Sequence, residues 1–235
     1  IVKIDIDPNK GTQNYADLES TDAIFVCVPS PSRLDGSCDT SILINTLDKL
    51  KDYKGIIIAK TTAPPNVYRA LGTVYNNLVH VPEFLTANDS NIDYLNETCS
   101  IIGSNDVDIH HKILSILKQG QPNIKYCMFC KIEEAAFTKY VINTFLATKV
   151  IYMNEMAKLA NKFGLEWTKI SQLLTKDDRV GLSHTTVPGP DNQLGFGGLC
   201  FPKDTSAWLQ FANSLGIKLT VLEQVVKVNK EIRLQ

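Results

Sequence analysis

Short apolar runs alternate with helical stretches through the first half of the chain. Ile1–Ile6 reads as a strand, and Ala23–Val28 (AIFVCV) is a continuous apolar run, the pattern of a strand covered on both faces. Ile42–Leu50 carries helical spacing and Ile56–Ala59 is another apolar strand. Pro64 and Pro65 open a helix to about Tyr75, because proline suits the first helical turn. Leu78–Val81, Ser100–Ile102 and Ile124–Phe129 predict further strands, with a helix from about Val107 to Leu117 between the last two. This alternation predicts an α/β fold, a parallel sheet with helices on both faces.

The second half changes period. Glu133 to Phe163 is one long helical pattern, and Gly164 fits its C-cap. A shorter helix follows around Trp167–Leu174, then a Gly- and Pro-rich loop, Val187–Gly198. Two more helices are expected, about Lys203–Leu215 and Lys218–Ile232. The expected organisation is therefore an α/β domain over 1–130 and an all-helical domain over 131–235.

Composition narrows the class without deciding it. The 235 residues are 44% hydrophobic and 21% charged, which fits a globular chain and not a disordered one. A net charge of -1 with no basic stripe argues against a nucleic-acid partner. No apolar run reaches the ~20 residues of a membrane span. Six scattered cysteines in a chain of this size point to a reducing, cytoplasmic setting. Cys127 and Cys130 form a C-x-x-C pair, but no second pair supplies the other two ligands of a structural zinc, so no metal is expected. The pair reads as two small residues at the end of a strand.

The densest chemical signal is Gly195–Asp204, GFGGLCFPKD. Its glycines permit positive φ or close approach to a ligand. Pro202 reads as the start of a helix with Asp204 in its first turn, which sets the Cys200 thiol just before a helix N-terminus. The dipole there favours thiolate, a plausible nucleophile. Taken alone, a Gly-Gly-x-Cys string is more often a buried cysteine beside a tight turn.

The whole string resembles the active-site signature of the UDP-glucose, GDP-mannose and UDP-N-acetylmannosamine dehydrogenases. Other blocks of that family occur in order: VCVPSP at Val26–Pro31, KTTAPP at Lys60–Pro65, VPEFL at Val81–Leu85, KYVINTFLA at Lys139–Ala147 and DRVG at Asp178–Gly181. Singly, each has a plainer reading. Lys139 and Asn143, four apart, share one helix face and could be solvated. Glu83 could be a helix N-terminal carboxylate, Thr61 and Thr62 could cap the next helix, and Arg179 could be a surface charge.

The resemblance implies an NAD-dependent, four-electron oxidation of a nucleotide sugar, UDP-glucose to UDP-glucuronate first, with GDP-mannose or UDP-N-acetylmannosamine as alternatives. Cys200 would carry a thiohemiacetal and then a thioester. Lys139 and Asn143 would stabilise the oxyanion. Asp204 and Glu83 would be the candidate bases, with Thr62 helping to hold the water. Substrate would also meet Phe84, Leu85, Thr86, Phe196, Gly197 and Arg179, the last from its own or from a neighbouring subunit. NAD would be held by Val28, Pro29, Ser30, Thr61 and Thr62, with Asp5 on the ribose hydroxyls and Lys10 near the adenosine. The sequence shows no G-x-G-x-x-G, so that loop is expected in ~30 residues upstream, and the chain stops before the family's C-terminal nucleotide-binding domain, the pattern of either a fragment or a naturally short homologue. Apolar residues at nearly every turn of the long helix predict a homodimer through the helical part. The rival readings are a β-hydroxyacid dehydrogenase, which needs no nucleophilic cysteine, and a catalytically silent binding module.

Overall fold

The structure, a computed structural model, describes residues 3–5, 7, 9–12, 14–18, 20–84 and 90–234, except for the side chains of Ser90 and Asn91. Half of the strand expected at Ile1–Ile6, namely Ile1, Val2 and Ile6, therefore lies outside the described residues. Of its described part, Ile4 forms a bridge with Thr12. Contacts divide the chain into two compact units, one of Ile1–Pro31 with Asp39–Lys139, the other of Ser32–Cys38 with Tyr140–Gln235.

The first unit is built on a five-stranded sheet in the order β1 (Ala23–Val26), β2 (Ile56–Ala59), β3 (Leu78–His80), β4 (Cys99–Ser104) and β5 (Tyr126–Cys130). Its helices are α1 (Ser41–Lys49), α2 (Pro65–Val74), the short α3 (Ser90–Asn96) and α4 (His110–Gly120). The period-2 alternation of β2 shows how the sheet is covered. Ile57 and Ala59 join a core with Leu43 and Leu47 of α1 and Tyr68 and Leu71 of α2. Ile56 and Ile58 join a second core with Ile113 and Leu117 of α4. β2 is thus buried on both faces, which is why it reads as an unbroken apolar run. Truncating Ile58, which is wholly enclosed, to Ala would cost about 2–5 kcal/mol.

The all-parallel expectation needs correction. β1, β2 and β3 are parallel, but β4 runs antiparallel to β3 through only two residue pairs, Val79 with Ser104 and His80 with Gly103. β5 then runs parallel to β4. Buried strands of either direction are apolar throughout, so the pattern gives a strand's existence and not its direction.

The second unit is helical. α5 (Ile132–Lys162) begins in the first unit and continues through the second, followed by α6 (Trp167–Leu174), α7 (Phe201–Ser214) and α8 (Thr220–Arg233). Glu134 reaches back to accept a bond from the Lys131 amide at 2.8 Å, closing one side of a capping box at the start of α5. At the other end Gly164 takes φ +83, and the Leu165 amide bonds back to the Ala160 carbonyl at 2.9 Å. Tyr140 stacks on Trp208 at 5.1 Å, within a core of Ala147, Ile151, Phe196, Ala207, Leu222 and Val225. Cys38 also belongs to this core. The strip that carries it turns at Gly36 (φ +83) and accepts a bond from Gln210 on its Asp35 carbonyl at 2.6 Å.

Candidate active site

The candidate residues fall into two clusters, one in each unit. In the first unit, the parallel register of β1, β2 and β3 sets their carboxyl ends side by side, since Val26 pairs with Ala59 and Ala59 with His80. Cys27–Ser30, Lys60–Thr62 and Val81–Phe84 therefore leave one edge of the sheet, the edge at which doubly wound sheets take their ligands. Thr61 donates its hydroxyl to the Val28 carbonyl at 2.7 Å, and Tyr68 donates to the Thr61 carbonyl at 2.5 Å. Ser30 is buried, Thr62 half-buried and Pro29 exposed.

Glu83 is the centre of this cluster. Its carboxylate lies 3.5 Å from the ammonium of Lys60, a side chain only 4% exposed. The Lys139 ammonium donates to the Glu83 backbone carbonyl and sits 4.9 Å from the centre of the Phe84 ring. Lys139 is itself buried. A buried ammonium needs a charge or dipole partner, and these groups supply it. Beneath them His80 stacks on Tyr68 at 4.0 Å and meets the Ala59 carbonyl through Nδ1 at 2.9 Å. Burial pushes its imidazole down to about 3, the Ala59 bond opposing and Lys60 and Lys139 adding to the fall. Leu85 and Thr86, expected at the substrate, lie outside the described residues.

In the second unit Asn143 and Asp204 are brought together. The Asn143 carboxamide donates to Asp204 Oδ2 at 2.6 Å, and Lys203 meets the other carboxylate oxygen at 2.5 Å. Asp204 is 1% exposed, so this pairing keeps a buried carboxylate satisfied. Its amide closes the first turn of α7 on the Cys200 carbonyl at 2.8 Å. Cys200 is the N-cap residue of α7 and is exposed. A thiol at that place feels the positive end of a 14-residue helix and is open to reagents.

The glycines ahead of it have particular neighbours. Gly195 takes φ +72, and a Cβ there would stand 2.4 Å from Asn229 Oδ1. A Cβ on Gly197 would stand 2.6 Å from the Arg233 guanidinium. These two glycines face side chains of α8, whereas Gly198 (φ +72) has open space around it. Phe196 is buried and packs edge-on to Phe201 at 6.0 Å.

Other expected residues are not drawn into either cluster by the contacts they make. The Asp5 carboxylate accepts from the Asp7 amide at 3.0 Å, and Lys10 pairs with Asp7 at 3.5 Å. Arg179 folds back on Asp177, two residues earlier, at 2.5 Å. The loop carrying Arg179 is held instead by Lys149, whose ammonium donates to the carbonyls of Val180, Gly181 and Ser183 at 2.9, 3.1 and 2.5 Å. Lys149, Lys60, Asn154, Asn229 and Arg233 were not singled out by the sequence reading. Lys60 stood inside the KTTAPP block, and the others carry no local motif.

Cys127 and Cys130 lie three apart on β5, so their side chains leave opposite faces of the strand. Burial raises both thiols, Cys130 to about 11. Among the described residues no group of three or more His, Cys, Asp or Glu could hold a metal ion. No described helix is long and apolar enough to cross a membrane.

A Rossmann-like sheet followed by a helical bundle, with a cysteine heading one helix, defines the class of protein. Residues 7–120 match the NAD binding domain of the UDP-glucose/GDP-mannose dehydrogenase family, and residues 133–231 match its central domain. The chain belongs to that family. It is 31% identical over 227 residues to a UDP-glucose 6-dehydrogenase of Rickettsia bellii, a match taking in 92% of this chain and 50% of that protein. It is 29% identical over 230 residues to the UDP-glucose 6-dehydrogenase TuaD of Bacillus subtilis, covering 92% of this chain and 48% of the other. Its structure resembles that of a UDP-glucose dehydrogenase from the archaeon Pyrobaculum islandicum, with TM-score 0.78, 27% identity, and 91% and 51% of the two chains covered. The chain thus spans about half the length of these relatives.

Proposed function

We propose that the full-length protein is an NAD-dependent nucleotide-sugar 6-dehydrogenase that oxidises a primary alcohol to a carboxylate through Cys200, with UDP-glucose as the first substrate and UDP-glucuronate as the product. The observation that carries this reading is the exposed thiol at the head of α7, one turn before the anchored Asn143–Asp204 pair. Family membership sets the β-hydroxyacid dehydrogenase reading aside.

The donor set fits the cofactor. Short hydroxyls and backbone groups of Val28–Ser30, Thr61 and Thr62 line the carboxyl edge of the parallel strands, and Asp5, whose carboxylate accepts from the Asp7 amide in this structure, would turn to the ribose hydroxyls. Bound NAD would accept one hydride at each of the two oxidations. Cys200 attacks the aldehyde carbon left by the first, forming a C–S bond. Lys139 and Asn143 stabilise the oxygen that gains charge. Loss of the second hydride leaves a thioester on Cys200. Water then adds to it, the C–S bond breaks and the thiolate departs. Both oxygens of Asp204 accept bonds, which suits it to orienting Asn143. Glu83, more than a third exposed along its side chain, is then the stronger candidate to take the proton from water, with Thr62 holding that water. Phe84, Leu85, Thr86, Phe196 and Gly197 would contact the sugar, and Arg179, exposed on its loop, its phosphate end.

We also propose a homodimer. Val141, Phe145, Tyr152 and Leu159 are exposed and, at helical spacing, make one apolar stripe along α5. The six cysteines are free, which fits a cytoplasmic enzyme.

The test is stoichiometry with a panel of UDP-glucose, GDP-mannose and UDP-N-acetylmannosamine. Two NADH per sugar and a carboxylate product are expected. One NADH with free aldehyde overturns the reading.

A further inference from the structure

Three side chains outside this chemistry hold the loop that leads to the nucleophile. Asn229 on α8 is buried and turns its carboxamide to Phe196, accepting from the Phe196 amide at 2.7 Å and donating to the Phe196 carbonyl at 3.0 Å. Asn154 on α5, also buried, accepts from the Gly195 amide at 3.0 Å. One turn beyond Asn229, Arg233 donates through Nη1 to Asp191 at 2.7 Å and Gln193 at 2.6 Å, and through Nη2 to the Gly195 carbonyl at 3.4 Å. The segment 187–198 has no regular structure, so its buried backbone groups take these side chains in place of a ladder. Gly195 and Gly197 are the positions where a side chain would strike this clamp.

We infer that Asn229 and Arg233 are positioning residues for Cys200. They fix 191–197 from α8, so that the short remainder of the loop presents the thiol at one place. The inference rests on Cys200 being the nucleophile. A loop left free would still carry the thiol, but a displacement of about 1 Å at a reacting atom can cost on the order of 10²-fold in rate.

The experiment uses the full-length enzyme and the variants Arg233→Ala, Arg233→Lys, Asn229→Ala and Asn229→Asp. Two readouts are taken: kcat and KM for carboxylate formation, and the iodoacetamide alkylation rate of Cys200, mapped by mass spectrometry without substrate. Arg233→Ala and Asn229→Ala are expected to lower kcat about 10–100-fold with KM for NAD unchanged, and to change the alkylation rate. Arg233→Lys should restore part of the loss. Asn229→Asp carries a sharper signature. As a carboxylate it keeps the acceptor for the Phe196 amide but opposes the Phe196 carbonyl, and once protonated it regains a donor. Its kcat relative to the parent should therefore rise as pH falls from about 8 to about 6. If Asn229→Ala does not fold, Arg233→Ala and Asn229→Asp decide the matter. Parent-like kcat and alkylation in both, or a loss in Asn229→Asp that does not depend on pH, overturns the inference. If the parent enzyme makes no carboxylate, the proposed function falls, and the alkylation comparison still tests the clamp.

Discussion

Cys200 and Lys139 fail in different ways when removed. The first hydride transfer needs a base and a stabilised oxyanion, not the thiol. Changing Cys200 to Ser keeps the shape but gives a nucleophile of far higher pKa and a poor leaving group. Cys200→Ser is expected to bind NAD and nucleotide sugar and then stall, as a trapped adduct or after one slow oxidation. Lys139→Ala should instead slow hydride transfer itself, by ~10²–10³. Single-turnover NADH formation and mass spectrometry of the protein separate the two, and near-normal carboxylate formation by Cys200→Ser would make the thiol structural. His80 gives a different readout. It is wholly enclosed and neutral in the fold, with its imidazole pushed down to about 3 by burial, while in the unfolded chain it titrates near 6.5. As pH falls below about 6.5, the unfolded chain takes a proton that the native state does not take until about 3. Stability is thus full above that upper value and declines through the window, by roughly 2 kcal/mol at about pH 5. His80→Phe keeps a ring against Tyr68 and should flatten this decline, as measured by urea unfolding at two pH values. An unchanged slope in the variant would show that other groups set it. Cys200, Asp204 and Glu83 were visible in the sequence because they sit in contiguous strings. Lys149, Asn154 and Asn229 were not, because each acts on backbone atoms 30 or more residues away, which no local pattern records.

Among the elements, α5 joins the two clusters in sequence, carrying Lys139 and, one turn later, Asn143. Its start depends on Glu134 closing back on the Lys131 amide. Glu134→Ala should lower stability by about 1 kcal/mol without touching either cluster. Equilibrium unfolding measures it, and no change would mean that packing of Ile132 and Ala136 alone sets the helix start. The long helices were legible because their apolar period and end signals agree, down to Gly164 in a left-handed conformation. β2 and α6 fall at the residues their patterns mark, Ile56–Ala59 and Trp167–Leu174. The direction of β4 was not legible, since an apolar run is the same read either way. The short helix α3, seven residues long, was missed because about two turns are too few to establish a helical period. The glycines of the nucleophile loop suit positive φ or close approach to a ligand, and Gly195 and Gly198 take the positive φ. The structure gives Gly195 and Gly197 to the side chains of α8.

At the scale of the molecule, the stripe of Val141, Phe145, Tyr152 and Leu159 predicts association. Sedimentation of the full-length protein at micromolar concentration should show a dimer, and Phe145→Asp should shift it towards monomer. A parent protein that stays monomeric would contradict the proposal. The two units are not two consecutive stretches of chain. Seven residues, Ser32–Cys38, leave the first unit's sequence and belong to the second, with Cys38 in its core and Asp35 bonded to Gln210, 175 positions on. Periodicity reports on neighbours within a few turns and is silent about such a return. The consequence belongs to biosynthesis. The strip leaves the ribosome roughly a hundred residues before Tyr140, the first of the later residues it joins, so during translation the sheet can assemble while the strip waits as a loop without a home. Contacts of this sequence separation close late and slowly. The helical unit therefore completes last, and a gene cut cleanly between residues 139 and 140 would make a second piece that lacks part of its own core.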